Sequence, residues 1–132
     1  MKILVVDDEQ DVKTLFQQRF RKEIRNGELD FMFAFSGEEA LKYLENNTQE
    51  AILILSDINM PGMNGYQVLD VLKNESSLKD SCIIAVTANA MPRDIERGKA
   101  AGFVDYITKP LDAAEFLKTI DLRLEGLQKE NP

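Results

Sequence analysis

Residues Ala51–Gly65 read A-I-L-I-L-S-D-I-N-M-P-G-M-N-G, a run of apolar side chains followed by an acid and then by turn-forming residues. An uninterrupted apolar run of this length predicts a strand buried on both faces, as in parallel sheets. Asp57 falls where this strand ends. Pro61, Gly62 and Gly65 predict a loop of one fixed shape that allows a close backbone approach. Asp57 is therefore the first candidate functional residue.

Strand and helix patterns alternate along the rest of the chain. Short apolar runs predict five strands, at residues 3–6, 29–35, 52–55, 82–86 and 104–107. Helical spacing of apolar residues, capping patterns and glycine stops predict five helices, at Asp11–Arg25, 36–46, after Gly65, at Pro92–Ala101 and at 112–127. This alternation predicts an α/β fold, a doubly wound five-stranded parallel sheet with helices on both faces.

Size, charge and composition exclude several classes of protein. The chain has 132 residues, 44% hydrophobic and 30% charged, which predicts one globular domain. Its formal net charge of -7 argues against binding to nucleic acid or to an anionic membrane surface. Histidine is absent, which excludes a histidine-centred triad, an imidazole zinc site and phosphohistidine on this chain.

The chain carries no sequence signal for a membrane or for secretion. Spanning a bilayer takes about 20 apolar residues, and no apolar run here approaches that length. The first apolar residues are too few for a signal peptide, and acids follow them at once. We therefore expect a cytoplasmic protein without membrane association.

Polar side chains follow four of the predicted strands. Asp7 and Asp8 follow the first strand, Asp57 the third, Thr87 the fourth and Lys109 the fifth. In doubly wound sheets, ligands bind outside the carboxyl ends of the strands, where the winding direction reverses. We expect these five side chains to meet in one crevice.

Three acids in one crevice point to a divalent cation. Neighbouring carboxylates repel one another, and a cation offsets that repulsion. Mg²⁺ or Mn²⁺ suits such a site, because Mg²⁺ prefers oxygen ligands and typically keeps waters and a substrate phosphate. Asp7 and Asp8 would hold the metal, and the backbone carbonyl of Asn59 could complete the set. Asp57 would stay free to accept a phosphoryl group as an acyl phosphate.

Thr87 and Lys109 supply groups that phosphoryl transfer needs, namely a hydroxyl donor and a positive charge. Catalysis of this transfer is mostly positioning and electrostatic stabilisation. Taken singly, a threonine that ends a strand is usually structural, and a lysine before proline is usually a surface residue. Their place at the ends of successive strands, beside three acids, favours a functional site.

The whole motif set resembles the receiver domain of two-component response regulators. It covers about Lys2–Leu124 and comprises Asp7-Asp8, S-D-I-N-M-P-G-M-N-G around Asp57, V-T-A with Thr87 and T-K-P with Lys109. The resemblance implies a CheY-like, flavodoxin-like (βα)5 fold with strand order 2-1-3-4-5. It also implies a receiver domain at 1–127 and a polar tail at 128–132, and DNA binding by an output domain cannot be carried over to this chain.

The resemblance further implies a phosphorylation-activated switch. A phosphohistidine on a histidine kinase or a histidine phosphotransfer domain would donate its phosphoryl group to Asp57. No separate substrate would be turned over. The implied Mg²⁺ ligands are Asp7, Asp8, Asp57 and the carbonyl of Asn59, and the implied phosphoryl contacts are Thr87 and Lys109.

In the resembling family, a threonine and an aromatic residue of the fifth strand move together on phosphorylation. The matching residues are Thr87 and Tyr106, although a strand aromatic can also be a plain packing residue. A cis peptide between Lys109 and Pro110 is implied as well. The surface read by a downstream effector would be the fourth predicted helix, the fifth strand and the last helix, in a monomer or a phosphorylation-dependent dimer.

Three other functions stay open from the residues. A Mg²⁺-dependent phosphohydrolase with an aspartyl nucleophile usually has a second acid two residues later, where this chain has Asn59. A flavodoxin-like nucleotide binder needs a first loop that cradles phosphate, and Asp7, Asp8 and Glu9 would repel it. A phosphate-independent interaction module of receiver shape would not need the intact set of site residues.

Overall fold

The computed structural model describes residues 2–46, 52–58, 62, 64–74, 82–87, 91–108 and 114–119. Five parallel strands form one sheet in the order β2-β1-β3-β4-β5. The strands are β1 Lys2–Val6, β2 Asp30–Ala34, β3 Ile52–Asp57, β4 Cys82–Thr87 and β5 Asp105–Thr108. The predicted doubly wound fold and its strand order are confirmed.

Helices connect the strands. They are α1 Asp11–Arg19, α2 Arg21–Arg25, α3 Gly37–Glu45, α4 Gly65–Asn74 and α5 Pro92–Ala101, and residues 114–119 are also helical. The rest of the predicted last helix and the polar tail at 128–132 lie outside the described residues. Within the described ranges, no helix is both long enough and apolar enough to cross a membrane.

Two apolar cores lie on opposite faces of the sheet, as the period of two along a strand requires. In β1, Leu4 and Val6 face the core under α3 and α4, whereas Ile3 and Val5 face the core under α1. Strands β1 and β3 lie inside the sheet and are covered on both faces, which explains their continuous apolar runs. Strand β2 lies at an edge, and its residues are mostly half-buried.

The core under α1 is built largely from phenylalanine rings. Phe16 and Phe20 of the first helical region meet Phe31 and Phe33 of β2 and Phe116 of the last helical segment. The Phe20 and Phe116 rings are 4.9 Å apart between centroids. This cluster fixes α1 and residues 114–119 against the same face of the sheet, and so places the loop after β1.

The first helix differs from the sequence prediction. A single helix was predicted over Asp11–Arg25, but the backbone leaves helical geometry at Phe20, with φ -113° and ψ 27°. Phe20 has no exposed surface, and its ring enters the phenylalanine core. The break thus falls at the residue whose ring enters this core, and tertiary contacts can override local helix propensity.

Ser36, followed three residues later by Glu39, has the capping-box spacing that predicts the start of α3, and the structure shows the box with one change of partner. The Ser36 hydroxyl accepts the Glu39 N–H at 3.1 Å. The Glu39 carboxylate accepts the N–H of Phe35 at 3.3 Å, one residue before the position that the motif predicts. Both bonds satisfy backbone donors where β2 passes into α3.

Ser36→Ala is expected to lower the free energy of unfolding by about 1 kcal/mol, because it removes this side-chain acceptor. Urea denaturation with linear extrapolation measures the change. Ser36→Asp is the control, since a carboxylate also caps a helix and should stay near wild type. No loss in Ser36→Ala, or an equal loss in both variants, would contradict a stabilising role of this acceptor.

Candidate functional site

Three carboxylates converge at the carboxyl edge of the sheet. Asp7 directly follows β1 and Asp57 ends β3, and these strands are neighbours in register, with Val6 opposite Ser56. Carboxylate oxygens of Asp7, Asp8 and Asp57 lie within 4.8 Å of one another. Asp7 and Asp57 are 5% and 7% exposed, whereas Asp8 is exposed to solvent. The cluster is therefore anchored in the protein and open on one side.

Hydrogen bonds hold the chain around Asp7 and Asp57. The Asp7 N–H donates to the carbonyl of Ala34 at 3.0 Å, which extends the β1–β2 pairing by one residue. The Glu9 N–H donates to Oδ1 of Asp7 at 3.0 Å and orients that carboxylate. The fully buried Ser56 hydroxyl donates to the backbone carbonyl of Asp57 at 3.1 Å. Both acids thus sit on fixed backbone.

The two glycines of the loop after Asp57 serve different purposes. Gly62 has a φ of +74°, a left-handed conformation that side chains disfavour, as the sequence suggested. Gly65 has no positive φ and is the first residue of α4. A β-carbon there would lie 2.8 Å from the carbonyl oxygen of Asp57 and 2.9 Å from the Cα of Ile58. Gly65 therefore lets α4 begin against the backbone of Asp57.

Thr87 and Tyr106 form a second part of the site. Thr87 is 1% exposed and ends β4, one residue beyond Val86, the register partner of Asp57. Tyr106 lies on β5 opposite Ala85 and is half-buried. The side chains of Thr87 and Tyr106 are hydrogen-bonded to each other. The pair expected to move together is thus in direct contact.

The environment of Tyr106 raises the pKa of its phenol above the usual tyrosine value of 10.0. Burial is the largest cause, because it disfavours the charged phenolate, and electrostatic repulsion from Tyr66 and Asp94 adds to it. The hydrogen bond with Thr87 acts in the opposite direction and lowers this pKa. The structure therefore favours the neutral phenol.

We expect Tyr106 to ionise only above pH 10.0. Its pKa is higher in the folded chain than in the unfolded chain, so its stabilising contribution is complete below pH 10 and is lost as the pH rises through the raised value. The difference in phenolate absorbance between wild type and Tyr106→Phe isolates this titration. In Thr87→Val the pKa should rise further, and ionisation of Tyr106 below pH 10 would contradict this prediction.

An apolar cavity of about 180 Å³ lies beside the carboxylates, between α1 and the sheet. Val12, Leu15 and Phe16 line it from α1, and Asp7 and Asp57 also border it. The charged side chains of Glu9 and Arg19 line it as well. The space beside the carboxylates is therefore bounded by both apolar and charged groups.

The carboxylate cluster fits a hard divalent cation. Its three described donors are all oxygens, and they lie close enough to share one ion. Asp8 faces solvent, which leaves room for water or a phosphate oxygen on the cation. Asn59, Lys109 and Pro110, the other predicted members of the site, lie outside the described residues.

Some supporting residues were not predicted from the sequence. At the start of α4, Asn64 Oδ1 accepts the Gln67 N–H at 3.0 Å and Gln67 Oε1 accepts the Asn64 N–H at 2.8 Å. The signal was present, because Asn followed three residues later by Gln is a capping-box spacing. Ser56 also had a signal, as the one hydroxyl inside the apolar run before Asp57.

Comparison with known proteins gives a family for this site. The family model described as "Response regulator receiver domain" matches residues 3–121. Among curated proteins, the polar-differentiation response regulator DivK of Brucella ovis is 34% identical over 118 residues, which are 89% of this chain and 91% of DivK. This relative is similar over almost its whole length.

Two longer relatives contain a similar region. The heme response regulator HssR of Staphylococcus haemolyticus is 32% identical over 128 residues, or 97% of this chain, and the sensor histidine kinase CheAY of Helicobacter pylori is 32% identical over 129 residues, or 96% of it. The chain spans 53% of HssR and 15% of CheAY. The similarity therefore concerns one region of each protein.

Solved structures agree with this. The chemotaxis protein CheY4 of Vibrio cholerae has a TM-score of 0.76 at 27% identity, with 91% of this chain and 95% of that chain covered. The receiver domain of a signal transduction histidine kinase from Syntrophus aciditrophicus has a TM-score of 0.77 at 28% identity, with 95% and 90% covered. The chain belongs to the response regulator receiver domains, the signalling switches of two-component systems.

Proposed function

We propose that this chain is a phosphorylation-activated switch in which Asp57 accepts a phosphoryl group in a Mg²⁺-dependent reaction. The donor would be a phosphohistidine of a partner histidine kinase or histidine phosphotransfer domain. One observation carries the proposal: the carboxylate oxygens of Asp7, Asp8 and Asp57 lie within 4.8 Å of one another at the carboxyl edge of the sheet.

The transfer step is a displacement at phosphorus. A carboxylate oxygen of Asp57 forms a bond to phosphorus while the bond between phosphorus and the donor imidazole nitrogen breaks. The electron pair of that bond stays on the nitrogen, and the imidazole, which carries a proton on its other ring nitrogen, leaves as neutral histidine. The product on this chain is an acyl phosphate. Water later attacks this phosphorus and returns free Asp57 and inorganic phosphate.

The residues around Asp57 have separate roles in this proposal. Asp7, Asp8 and the carbonyl of Asn59 would hold the cation with Asp57, and Asp7 is already oriented by the Glu9 N–H. When bound, the cation supplies positive charge that offsets charge on the phosphoryl oxygens. Thr87 would donate a hydrogen bond to the phosphoryl group.

Lys109 would contribute a further positive charge at the phosphoryl oxygens, with a cis bond to Pro110 aiming the side chain. Binding of the anionic phosphoryl group is favoured by such a point charge. Together with the metal and Thr87, it would surround the group on three sides.

The response to phosphorylation would pass through Thr87 and Tyr106. Contacts with the phosphoryl group favour one position of the Thr87 hydroxyl, and the Tyr106 ring adjusts because the two side chains are hydrogen-bonded. The face formed by α5, β5 and the helical segment 114–119 would then carry the signal to a downstream effector. The chain would act in the cytoplasm, as a monomer or a phosphorylation-dependent dimer, without turnover of a separate substrate.

Incubation with acetyl phosphate tests the proposal, because this small donor replaces the partner kinase. The intact mass should increase by one phosphoryl group only when Mg²⁺ is present, and hydroxylamine should remove the group, since it cleaves acyl phosphates. A label that forms equally in the presence of excess chelator would contradict a metal-dependent site. Sustained hydrolysis of a generic phosphate ester would instead favour the phosphohydrolase alternative.

A further inference from the structure

We propose that Gly98 of α5 is a positioning residue for the Tyr106 ring: because Gly98 has no side chain, it leaves the space in which that ring lies beside Thr87. This inference rests on the proposed function, in which the Thr87–Tyr106 pair transmits phosphorylation. Gly98 lies outside the sequence motifs of the site, on α5. It determines where the Tyr106 ring can lie.

Contacts around Gly98 carry the inference. A β-carbon built on Gly98 would lie 2.8 Å from Cε2 and 3.1 Å from Cδ2 of Tyr106. Nonbonded carbon atoms pack favourably at about 3.5–4.0 Å, so these distances are too short for both groups to keep their places. The ring of Tyr106 therefore occupies the space that any larger residue at position 98 would fill.

Backbone geometry gives no separate reason for a glycine at this position. Within the described residues, the positive-φ glycines are Gly27, Gly62 and Gly102, and Gly98 is not among them. Gly98 lies inside α5, where glycine is less favourable than alanine because it loses more conformational freedom on folding. Among the described features, the close packing of the Tyr106 ring explains why residue 98 is a glycine.

Other aromatic rings lie near this contact. The Phe103 side chain is 3% exposed, and its Cδ2 atom lies 3.6 Å from the β-carbon position at Gly98. Tyr66 packs edge-on against Phe103 at 5.5 Å between centroids, and the Arg97 guanidinium lies 4.7 Å from the centre of the Tyr66 ring. A β-carbon at position 98 would therefore also contact Phe103.

Solvent lies on the other side of Tyr106. Its strand, β5, is at the edge of the sheet, and its side chain is only half-buried. A methyl group at position 98 should accordingly push the ring outwards, and the hydrogen bond to Thr87 would be lost. Gly98 is not part of the carboxylate cluster, so phosphoryl transfer to Asp57 should continue without its effect on Tyr106.

The test compares wild type with Gly98→Ala, both labelled with 3-fluorotyrosine, by ¹⁹F NMR. The chain has three tyrosines, and the variant Tyr106→Phe assigns the signal of interest. In resting Gly98→Ala we expect the Tyr106 signal to move and to become sensitive to solvent. On addition of Mg²⁺ and beryllofluoride, this variant should lose most of the Tyr106 shift that wild type shows, while its uptake of phosphoryl groups from acetyl phosphate is retained.

Ala100→Gly is the matched control, because Ala100 is an exposed residue of the same helix and the change alters helix propensity without approaching Tyr106. Its Tyr106 signal should stay at the wild-type position. A wild-type signal in resting Gly98→Ala, or an equal displacement in Ala100→Gly, would overturn the inference. The resting signal is measured without a phosphoryl donor. This part of the test therefore gives its result whether or not Asp57 can be phosphorylated.

A second comparison covers the case in which Gly98→Ala does not fold. The variant that combines Gly98→Ala with Tyr106→Ala removes the ring that would clash. It should fold, and its urea midpoint should exceed that of Tyr106→Ala alone, since alanine is then the better helix residue. If the combined variant is unfolded or less stable than Tyr106→Ala, the clash is not with Tyr106 and the inference is wrong.

Discussion

Asp57→Asn should abolish phosphoryl uptake from acetyl phosphate, with a loss in rate of at least about 100-fold. The amide of asparagine has nearly the shape of the carboxylate but lacks its negative charge and nucleophilic oxygen. The backbone around position 57 is held by the Ser56 hydroxyl and by the start of α4, so the fold should survive the change. Intact-mass measurement over time gives the rate for both proteins.

Asp30→Asn is the matched control for this prediction. Asp30 is an exposed carboxylate at the first position of β2. It therefore lies at the amino ends of the strands, whereas the carboxylate cluster lies at their carboxyl ends. The same chemical change there should leave phosphoryl uptake unchanged. If Asp57→Asn incorporated phosphoryl groups as fast as Asp30→Asn, another residue would be the acceptor.

Asp7→Asn is expected to weaken Mg²⁺ binding by more than about 10-fold, since even the loss of a residue that only supports a metal ligand commonly costs that much affinity. Asp7 is a buried member of the cluster, and its carboxylate oxygen lies within 4.8 Å of those of Asp8 and Asp57. Isothermal titration calorimetry with Mg²⁺ measures the affinity. With Mn²⁺, the same comparison follows from the decrease of the electron paramagnetic resonance signal of the free ion.

Thermal unfolding provides an independent measure of the same change. In wild type, saturating Mg²⁺ should raise the melting temperature, because a ligand that binds only the folded state stabilises it. In Asp7→Asn this increase should shrink, while the metal-free protein should be no less stable than wild type, because one of three repelling charges is gone. Unchanged Mg²⁺ stabilisation in this variant would place the cation elsewhere.

The carboxylate cluster was predictable from the sequence because topology alone brings strand ends together. Asp7 and Asp57 each follow an apolar run that fits a buried strand, and adjacent parallel strands present their carboxyl ends at one edge. No knowledge of side-chain packing was needed for that step. The strand order needed the family resemblance, since alternation of strands and helices does not fix which strands are neighbours.

Features that depend on packing between distant residues were not predictable. The helix break falls at Phe20, whose ring contacts that of Phe116, almost a hundred positions later in the chain. The sequence pattern around Phe20 is regular, so it predicts an unbroken helix. Local spacing cannot show which ring fills a core position.

Glycines illustrate the same limit. The sequence predicted that Gly65 allows a close backbone approach, and the structure identifies the groups that approach, namely the start of α4 and the backbone of Asp57. Gly98 lies within an ordinary helical pattern, and only the structure brings the Tyr106 ring against it. A sequence marks where a side chain is missing, whereas the structure identifies what occupies the space.

The most direct test of the proposed switch is a crystal structure of the chain with Mg²⁺ and beryllofluoride, which stands in for the phosphoryl group. We expect the beryllium on a carboxylate oxygen of Asp57 and one cation at about 2.0–2.1 Å from oxygens of the Asp7, Asp8 and Asp57 cluster. Beryllofluoride on another residue, or a cation bound away from this cluster, would contradict the proposal.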